Sequence, residues 1–269
     1  MSIISLLRDY LTDPRIKNVD INSIDRINVH REILLSKRLM VEVFEEFYKT
    51  CIDLDKKYFT GNGLRVEIGS GSSLFKQYYP EVITTDIEPS PYIYKVLDAQ
   101  NMDFEDSSVH AIYGINCFHH FPQPEKFVKE LIRVLNPGGG CILIEPYYGP
   151  FATFIYSNIH KQEHFNKNQV EWSNKKNNMN IMSGANQALS YIVFHRDVEK
   201  FNTLFPSLEI VIEKPLNNYL RYLLSGGLNF RQFVPNFLSP SIKLLEWLLL
   251  LFSDIMALHF VVVLRKRTN

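Results

Sequence analysis

Val66-Glu67-Ile68-Gly69-Ser70-Gly71-Ser72-Ser73 is the stretch of sequence that decides the fold. Its first three residues are typical of a buried strand, and the glycines that follow predict a tight turn in which the backbone can approach a ligand closely. Asp86 lies 19 residues after Glu67, at the end of a second apolar run. A carboxylate at this distance can accept hydrogen bonds from ribose hydroxyls at the tip of the neighbouring strand. Together these features predict a binding site for a cofactor of adenosine type.

Strands and helices alternate around this stretch. Apolar runs predict seven strands, at residues 64–68, 82–85, 95–97, 109–115, 141–145, 208–214 and 258–264. Helices are predicted at residues 73–79, 124–135, 195–205 and 240–257, with an abrupt turn at 136–140. This alternation predicts an α/β fold, namely a doubly wound, mostly parallel seven-stranded sheet of Rossmann-like type.

The remaining segments are predicted to be additions to that sheet. Residues 1–60 form an N-terminal helical extension, because apolar residues recur at helical spacing between residues 24 and 58. Residues 61–269 then form the α/β domain. Within it we expect a lid insertion at about residues 147–190, which is rich in Asn, Lys, Tyr and Phe, and a helical insertion at about residues 217–257.

The composition narrows the function classes. The chain of 269 residues has a formal net charge of zero, so it carries no electrostatic sign of a nucleic-acid partner, and none is expected. Its three widely spaced cysteines predict neither a disulfide framework nor a zinc site. The first residues lack the pattern of a secretory signal, and we therefore expect a cytoplasmic protein.

The most apolar segment, residues 242–267, raises the question of a membrane. It contains Asp254 and His259, and a central aspartate in a spanning helix costs about 2.5–3.5 kcal/mol. We therefore interpret this segment as a helix followed by a strand, serving core packing or a homodimer face. A peripheral membrane or lipid-linked substrate contact is the alternative.

Four motifs follow one another in order: VEIGSGSS (66–73), TTDIEP (84–89), VLDAQNMDFEDSSVHAIYGINCFHHF (96–121) and ELIRVLNPGGGCILIEP (130–146). In this register they resemble the class I S-adenosylmethionine-dependent methyltransferases of the small-molecule type, which include methyltransferase domain family 11. The resemblance is close between residues 64 and 146, and beyond them it rests on the order of strands and helices.

The resemblance implies the residues that bind S-adenosylmethionine. Gly69, Ser70 and Gly71 would meet the methionine half of the cofactor with their backbone amides. Glu67 would organise that loop and the cofactor's amino group, and Asp86 would bind the ribose hydroxyls.

The later motifs supply the other half of the implied site. Asp98 would contact the adenine amino group, with Ala99 and Met102 against the ring, and the backbone of Asn116 would line the methionine side. Ser72 and Ser73 depart from the family pattern, in which a glycine is common. The rival cofactor is a nicotinamide dinucleotide, whose fingerprint requires a third glycine that is missing here. A nicotinamide-dependent oxidoreductase or epimerase, and a non-catalytic partner subunit, are the alternative functions.

Methyl transfer to a hydroxyl requires a base, whereas the cofactor itself supplies most of the chemistry. The acceptor we expect is a small-molecule or glycan-type hydroxyl. The candidate catalytic residues are His119 and His120 after the fourth strand and Glu145 at the end of the fifth; the alternative for each is a structural role, which for Glu145 means anchoring a loop. Further candidates at the same edge are Tyr147, Tyr148, His160 and His164. We interpret His160 and His164, spaced i and i+4, as a helix face and not as a metal pair, so no metal is predicted.

Overall fold

The computed structural model describes residues 10–20, 23–160, 163–173 and 185–268 of the chain. The strands in these ranges are β1 (Leu64–Ile68), β2 (Val82–Asp86), β3 (Lys95–Val96), β4 (Val109–Ile115), β5 (Leu135–Pro146), β6 (Leu208–Pro215) and β7 (His259–Lys266). The α-helices are α1 (Asp25–Ser36), α2 (Arg38–Tyr58), α3 (Phe75–Tyr78), α4 (Pro124–Val134), α5 (Pro150–Asn158), α6 (Leu189–Tyr191), α7 (Val198–Leu204), α8 (Tyr219–Ser225), α9 (Ser239–Leu248) and α10 (Ser253–Met256).

The strands form one seven-stranded sheet in the order β3-β2-β1-β4-β5-β7-β6. Neighbours from β3 through β5 pair in parallel, whereas β7 pairs antiparallel with both β5 and β6. The predicted doubly wound, mostly parallel sheet is therefore confirmed. Strand order reverses between β1 and β4, and in such sheets ligands bind in the crevice outside the carboxyl ends of the strands at this switch point.

Both faces of the sheet are buried, because an apolar cluster covers each of them and successive side chains of a strand point to opposite faces. On β7, Val262 and Leu264 pack into one apolar cluster and Val261 and Val263 into the other. The first cluster takes in the apolar face of α4, and the second takes in α2. Helix α2 of the N-terminal extension is thus part of the core that supports the sheet.

Several element boundaries differ from the sequence prediction. The predicted turn at residues 136–140 lies inside β5, because Val109 pairs with Leu135 and Ala111 pairs with Gly140. The intervening residues bulge out of the ladder, and pairing then resumes. The helix predicted at residues 195–205 is divided into a π-helical turn (Ile192–Arg196) and α7. The helix predicted at residues 73–79 is reduced to α3.

The N-terminal helices are predicted correctly as a broken pair, and the break has a visible function. Lys37 lies between α1 and α2 with an extended backbone, φ −115° and ψ 99°. Its buried ammonium donates hydrogen bonds to the carbonyl oxygens of Gly227 (2.7 Å) and Phe230 (2.5 Å). Burial lowers the pKa of Lys37 to about 8. This contact holds the N-terminal extension against the C-terminal insertion.

The apolar C-terminal segment divides into two parts: its strand, β7, is core as predicted, whereas its helical part is largely exposed. The helix predicted at residues 240–257 is broken into α9, a 3₁₀ turn (Leu250–Phe252) and α10. Many of its large apolar side chains are exposed, namely Leu244, Leu245, Trp247, Leu248, Leu250, Leu251, Phe252 and Ile255. Among the described residues, no helix combines the length and the apolar character that crossing a bilayer requires.

Candidate active site

The glycine loop after β1 has a backbone that only glycine accommodates easily. Gly69 has φ +60° and Gly71 has φ +47°, both in the left-handed region. A Cβ on Gly69 would lie 2.5 Å from the Cβ of Cys117, in the loop that follows β4. The missing side chain therefore lets the β1 and β4 loops meet at the carboxyl edge of the sheet.

Glu67 lies beneath this loop and holds it by hydrogen bonds. The family resemblance implied that Glu67 organises the loop. Its buried carboxylate accepts hydrogen bonds from the hydroxyls of Ser70 (2.8 Å) and Ser73 (2.7 Å). Burial raises the pKa of Glu67 to about 8. Ser73, a departure from the family pattern, thus provides one of the two hydroxyls that hold the carboxylate.

Asp86 and Asp98 are the two partly exposed acids of the predicted cofactor site. Asp86 accepts hydrogen bonds from the backbone amides of Gly71 (2.8 Å) and Glu88 (2.9 Å), so it also fixes the glycine loop. Asp98 accepts one from the backbone amide of Gln100 at 2.8 Å. Both carboxylates keep acceptor capacity for a further donor.

Ala99 and Met102, predicted to contact an adenine ring, are only 7% and 3% exposed and belong to the hydrophobic core. The Met102 amide donates to the carboxylate of Glu130 at 2.7 Å. Any surface that they offer to a ring is therefore small.

A cavity of about 220 Å³ opens beside the glycine loop. Its lining includes residues 69–73, Asn116 at the end of β4, and five of the chain's eight histidines, namely His30, His119, His120, His160 and His259. Asn116 has φ +52°, and its buried side-chain oxygen has no hydrogen-bond partner among the described residues. Asp86 and Asp98 lie outside this lining. The cavity therefore extends from the predicted methionine end of the cofactor site toward the lid.

Glu145 anchors the β4 loop and does not line the cavity. Its fully buried carboxylate accepts hydrogen bonds from the backbone amides of Cys117 and Phe118 at 2.9 Å each. It also accepts from the hydroxyl of Ser190 at 3.1 Å and lies 2.6 Å from Nδ1 of His119. The predicted role of Glu145 as a general base does not fit this geometry, whereas the alternative, loop anchoring, does.

His119 is held between two carboxylates. Its Nδ1 lies 2.6 Å from Oε2 of Glu145, and its Nε2 lies 3.3 Å from Oε2 of Glu163. Burial alone would lower the pKa of His119, but the two carboxylates outweigh it and raise that pKa to about 10. At neutral pH the ring is therefore an imidazolium with no free lone pair, and the predicted role of His119 as a base does not fit.

His120 is the member of the histidine pair that faces the cavity with some exposure. Its side chain is 12% exposed, and its Nε2 lies 3.8 Å from Oε1 of Glu163. The two rings of the pair lie close together, with centroids 4.2 Å apart. His120 thus keeps the position that an acceptor-activating residue requires.

Glu163 was missed by the sequence analysis, although in the sequence it lies between His160 and His164, which were considered as candidates. Burial raises its pKa, but the hydrogen bond from His119 and the charges of His120 and His119 outweigh this and lower it to about 2. The interpretation of His160 and His164 as a helix face is wrong, because α5 ends at Asn158. Glu163, which follows α5 in the chain, contacts both His119 and His120.

The cavity wall also contains two histidines that no motif indicated. Burial lowers the pKa of His30, on α1, to about 4 and that of His259, at the start of β7, to about 3. Both rings are therefore neutral at physiological pH. Neither residue has a local signal in the sequence, because each reaches the cavity only through the packing of distant elements.

Comparisons with known proteins identify the family of the central part of the chain. The profile of the family described as "Methyltransferase domain" matches residues 66–143. Over 51 residues the chain is 39% identical to the chloroplastic tocopherol O-methyltransferase of Arabidopsis thaliana, and over 76 residues it is 33% identical to the sterol 4-C-methyltransferase strm-1 of Caenorhabditis elegans. These matches cover 19% and 28% of this chain, and the chain spans only 15% and 22% of the length of these relatives.

Residues 66–143 match this methyltransferase domain family. The methyltransferase family predicted from the motifs is thereby confirmed for this part of the chain. Among solved structures, the geranyl diphosphate C-methyltransferase of Streptomyces coelicolor is similar with a TM-score of 0.46 and 13% identity, covering 80% of this chain and 77% of that one.

Neither of the two tyrosines predicted as candidates after β5, Tyr147 and Tyr148, lines the cavity. Tyr156 of α5 lines it instead and donates a hydrogen bond to the carbonyl of Leu258 at 2.6 Å. Tyr148 instead donates to the carboxylate of Glu213 at 2.7 Å. Tyr147 is buried in the core.

Proposed function

We propose that this protein transfers the methyl group of S-adenosylmethionine to a hydroxyl of a small-molecule or glycan-type acceptor. One observation carries the proposal: a single cavity joins the glycine loop, residues 69–73, to the cluster of His119, His120 and Glu163. In a methyltransferase domain the first of these is the expected place of the cofactor's methionine end. The second is then the place of the acceptor.

The residues of the chain would act mainly by position. The cofactor supplies an activated methyl group, and the protein supplies the alignment of that group with the acceptor. Glu67 and Asp86 fix the glycine loop from below and from the side. We assign binding of the ribose hydroxyls to Asp86 and contact with the adenine to Asp98, whose carboxylates retain exposed acceptor atoms.

Activation of the acceptor is assigned to His120, supported by Glu163. A hydroxyl must lose its proton as it attacks, and the group that promotes this loss has to reach the acceptor. His120 lines the cavity, and the carboxylate of Glu163 lies near enough to stabilise positive charge on it. His119 and Glu145 act instead as the buried support of the pair.

The exposed apolar segment supports a lipid-linked acceptor. Trp247 and Leu251 are 63% and 92% exposed. Helix α9, which carries Trp247, packs on α8, and Tyr222 of α8 lines the cavity. A surface that dips into the lipid headgroup region would thus place the cavity close to a membrane-bound substrate.

Cofactor binding tests the proposal directly. In calorimetry with S-adenosylhomocysteine, Asp86→Ala should weaken binding by about 1–3 kcal/mol, because charge-assisted hydrogen bonds are lost. Asp53→Ala, which removes an exposed acid of α2, is the matched control and should bind normally. Binding of a nicotinamide dinucleotide in place of S-adenosylhomocysteine would refute the proposal. Binding without transfer to any hydroxyl acceptor, together with a stoichiometric protein partner, would favour the non-catalytic alternative.

Membrane contact is tested separately by flotation with vesicles of anionic and zwitterionic phospholipid. Trp247→Ser and Leu251→Ser should each reduce the bound fraction. Val170→Ser removes a residue that is 79% exposed elsewhere and should leave that fraction unchanged. A stable dimer in light scattering that both C-terminal substitutions dissociate, without vesicle binding by the parent protein, would overturn the lipid assignment.

A further inference from the structure

We propose that His119, His120 and Glu163 form a binding site for a divalent transition-metal ion with an open coordination position facing the cavity. The inference rests on the proposed function, since it specifies how the histidine pair would activate an acceptor oxygen. His120 would then promote loss of the proton as a ligand of the ion. None of the three residues belongs to the cofactor motifs.

The donor atoms already have the spacing of a coordination sphere. One ligand atom from each residue can be chosen so that all three lie within 4.8 Å of one another. Tetrahedral zinc binds nitrogen and oxygen at about 2.0–2.2 Å, which places its ligands about 3.3–3.6 Å apart. His119 Nε2 and Glu163 Oε2 are 3.3 Å apart, and His120 Nε2 and Glu163 Oε1 are 3.8 Å apart. Two imidazoles and one carboxylate are a donor set that suits zinc, iron and nickel.

The orientation of His119 gives independent support. Its Nδ1 lies 2.6 Å from Oε2 of Glu145, the short distance of a charge-assisted hydrogen bond, whereas its Nε2 is 3.3 Å from Glu163. Donation from Nδ1 to a carboxylate leaves Nε2 available as the ligand, as in the carboxylate–histidine–metal arrangement. Glu145 is itself fixed by the amides of Cys117 and Phe118 and by the hydroxyl of Ser190. Glu145 is thus a positioning residue for the ligand.

Charge and access point the same way. Two buried carboxylates, Glu145 and Glu163, lie 2.6 Å and 3.3 Å from the two ring nitrogens of His119. A divalent ion bound by His119, His120 and Glu163 would contact one carboxylate directly and would be oriented by the other through His119. All three proposed ligands line the cavity, so the remaining coordination positions open toward the acceptor. An acceptor hydroxyl bound there would lose its proton to water more readily, because the ion stabilises the alkoxide.

The test is titration of the metal-free 269-residue chain with Co²⁺, followed by its visible absorption, and competition by Zn²⁺ against a chromophoric chelator. We expect one ion per chain. His120→Ala and Glu163→Gln should each weaken binding by at least the roughly 10–100-fold that loss of an outer-shell partner costs. His195→Ala is the matched control. His195 also lies 3.0 Å from a carboxylate, that of Glu213, but it has no second histidine beside it. Its replacement should leave metal binding unchanged.

These experiments distinguish failure of the metal site from failure of the proposed function. Binding of S-adenosylhomocysteine by the metal-free protein would support the methyltransferase assignment whatever the metal result. Absence of Co²⁺ and Zn²⁺ binding in the parent protein would overturn the metal site, and the parent titration needs no variant to fold. Equal binding in the parent and in both triad variants, with unchanged far-ultraviolet circular dichroism, would overturn it as well and leave His119 as the centre of an ion triad.

Discussion

Replacing Gly69 by alanine tests whether the β1 and β4 loops are held together by the absence of a side chain. Gly71 provides a matched control two residues away, because both glycines have positive φ, +60° and +47°. Their surroundings differ. A Cβ at position 69 would lie 2.5 Å from the Cβ of Cys117, whereas a Cβ at position 71 would meet nothing nearer than the Asp86 carboxylate at 3.9 Å.

The two substitutions should therefore differ in cost. The left-handed conformation costs an alanine about 1–2 kcal/mol, and this applies to both positions. At position 71 nothing is added, since 3.9 Å is an ordinary contact. At position 69 the new methyl group lies well inside the optimal carbon separation of about 3.5–4.0 Å. Such overpacking typically adds about 1–3 kcal/mol, so we expect a total of about 2–5 kcal/mol for Gly69→Ala.

Urea denaturation followed by circular dichroism measures the free energy of unfolding of both variants. A double-mutant cycle with Cys117→Gly, which removes the opposing Cβ, should recover about 1–3 kcal/mol of the Gly69→Ala cost through a favourable coupling energy. Equal destabilisation by the two alanine substitutions, or a coupling energy near zero, would show that the close approach of the two loops does not matter.

Three further predictions concern buried titratable groups and their ion pairs, and all are checked by the same denaturation assay. His259 is buried and neutral, because burial lowers its pKa to about 3. Below the pKa that this histidine has in the unfolded chain, only the unfolded state binds a proton there, so the folded state loses stability as the pH falls. Between about pH 7 and pH 5 the parent protein should lose about 2 kcal/mol more stability than His259→Phe. Asp55→Asn should cost about 3–5 kcal/mol, because the buried carboxylate accepts hydrogen bonds from Arg65 Nε (2.8 Å) and the hydroxyl of Tyr113 (2.6 Å). Arg221→Met should cost a similar amount, roughly 3–5 kcal/mol, because it leaves the buried carboxylate of Glu246 without its guanidinium partner, now at 2.7 Å.

The sheet and the glycine turn after β1 could be predicted because their signals are local. The glycine turn after β1, the acid at the end of β2 and the run from residue 96 to 121 each lie within a short stretch. The alternation of these stretches with helices is what indicated a mostly parallel sheet. Even where a boundary was wrong, as at residues 136–140, the error was a bulge within a strand that had been predicted to start later.

The acceptor half could not be predicted in this way, because distant segments assemble it. His30 comes from the N-terminal extension, Glu163 from the lid and His259 from the last strand. The sequence gives no spacing rule that would join them. The roles of His119 and Glu145 also depended on packing. Only the structure shows that the ring of His119 is already paired with two carboxylates, those of Glu145 and Glu163.

The loop after β4 connects the two halves of the site physically. Cys117 faces Gly69 with its Cβ and donates its backbone amide to Glu145, and Glu145 in turn holds His119. A displacement of this loop would therefore move the wall of the cofactor site and the histidine pair together. Gly69→Ala should accordingly impair acceptor activation as well as cofactor binding, even though the substituted residue lies only in the cofactor loop. A larger side chain at position 69 should displace the two loops further, and so move the methyl donor and the acceptor-activating residue further from the alignment that transfer requires.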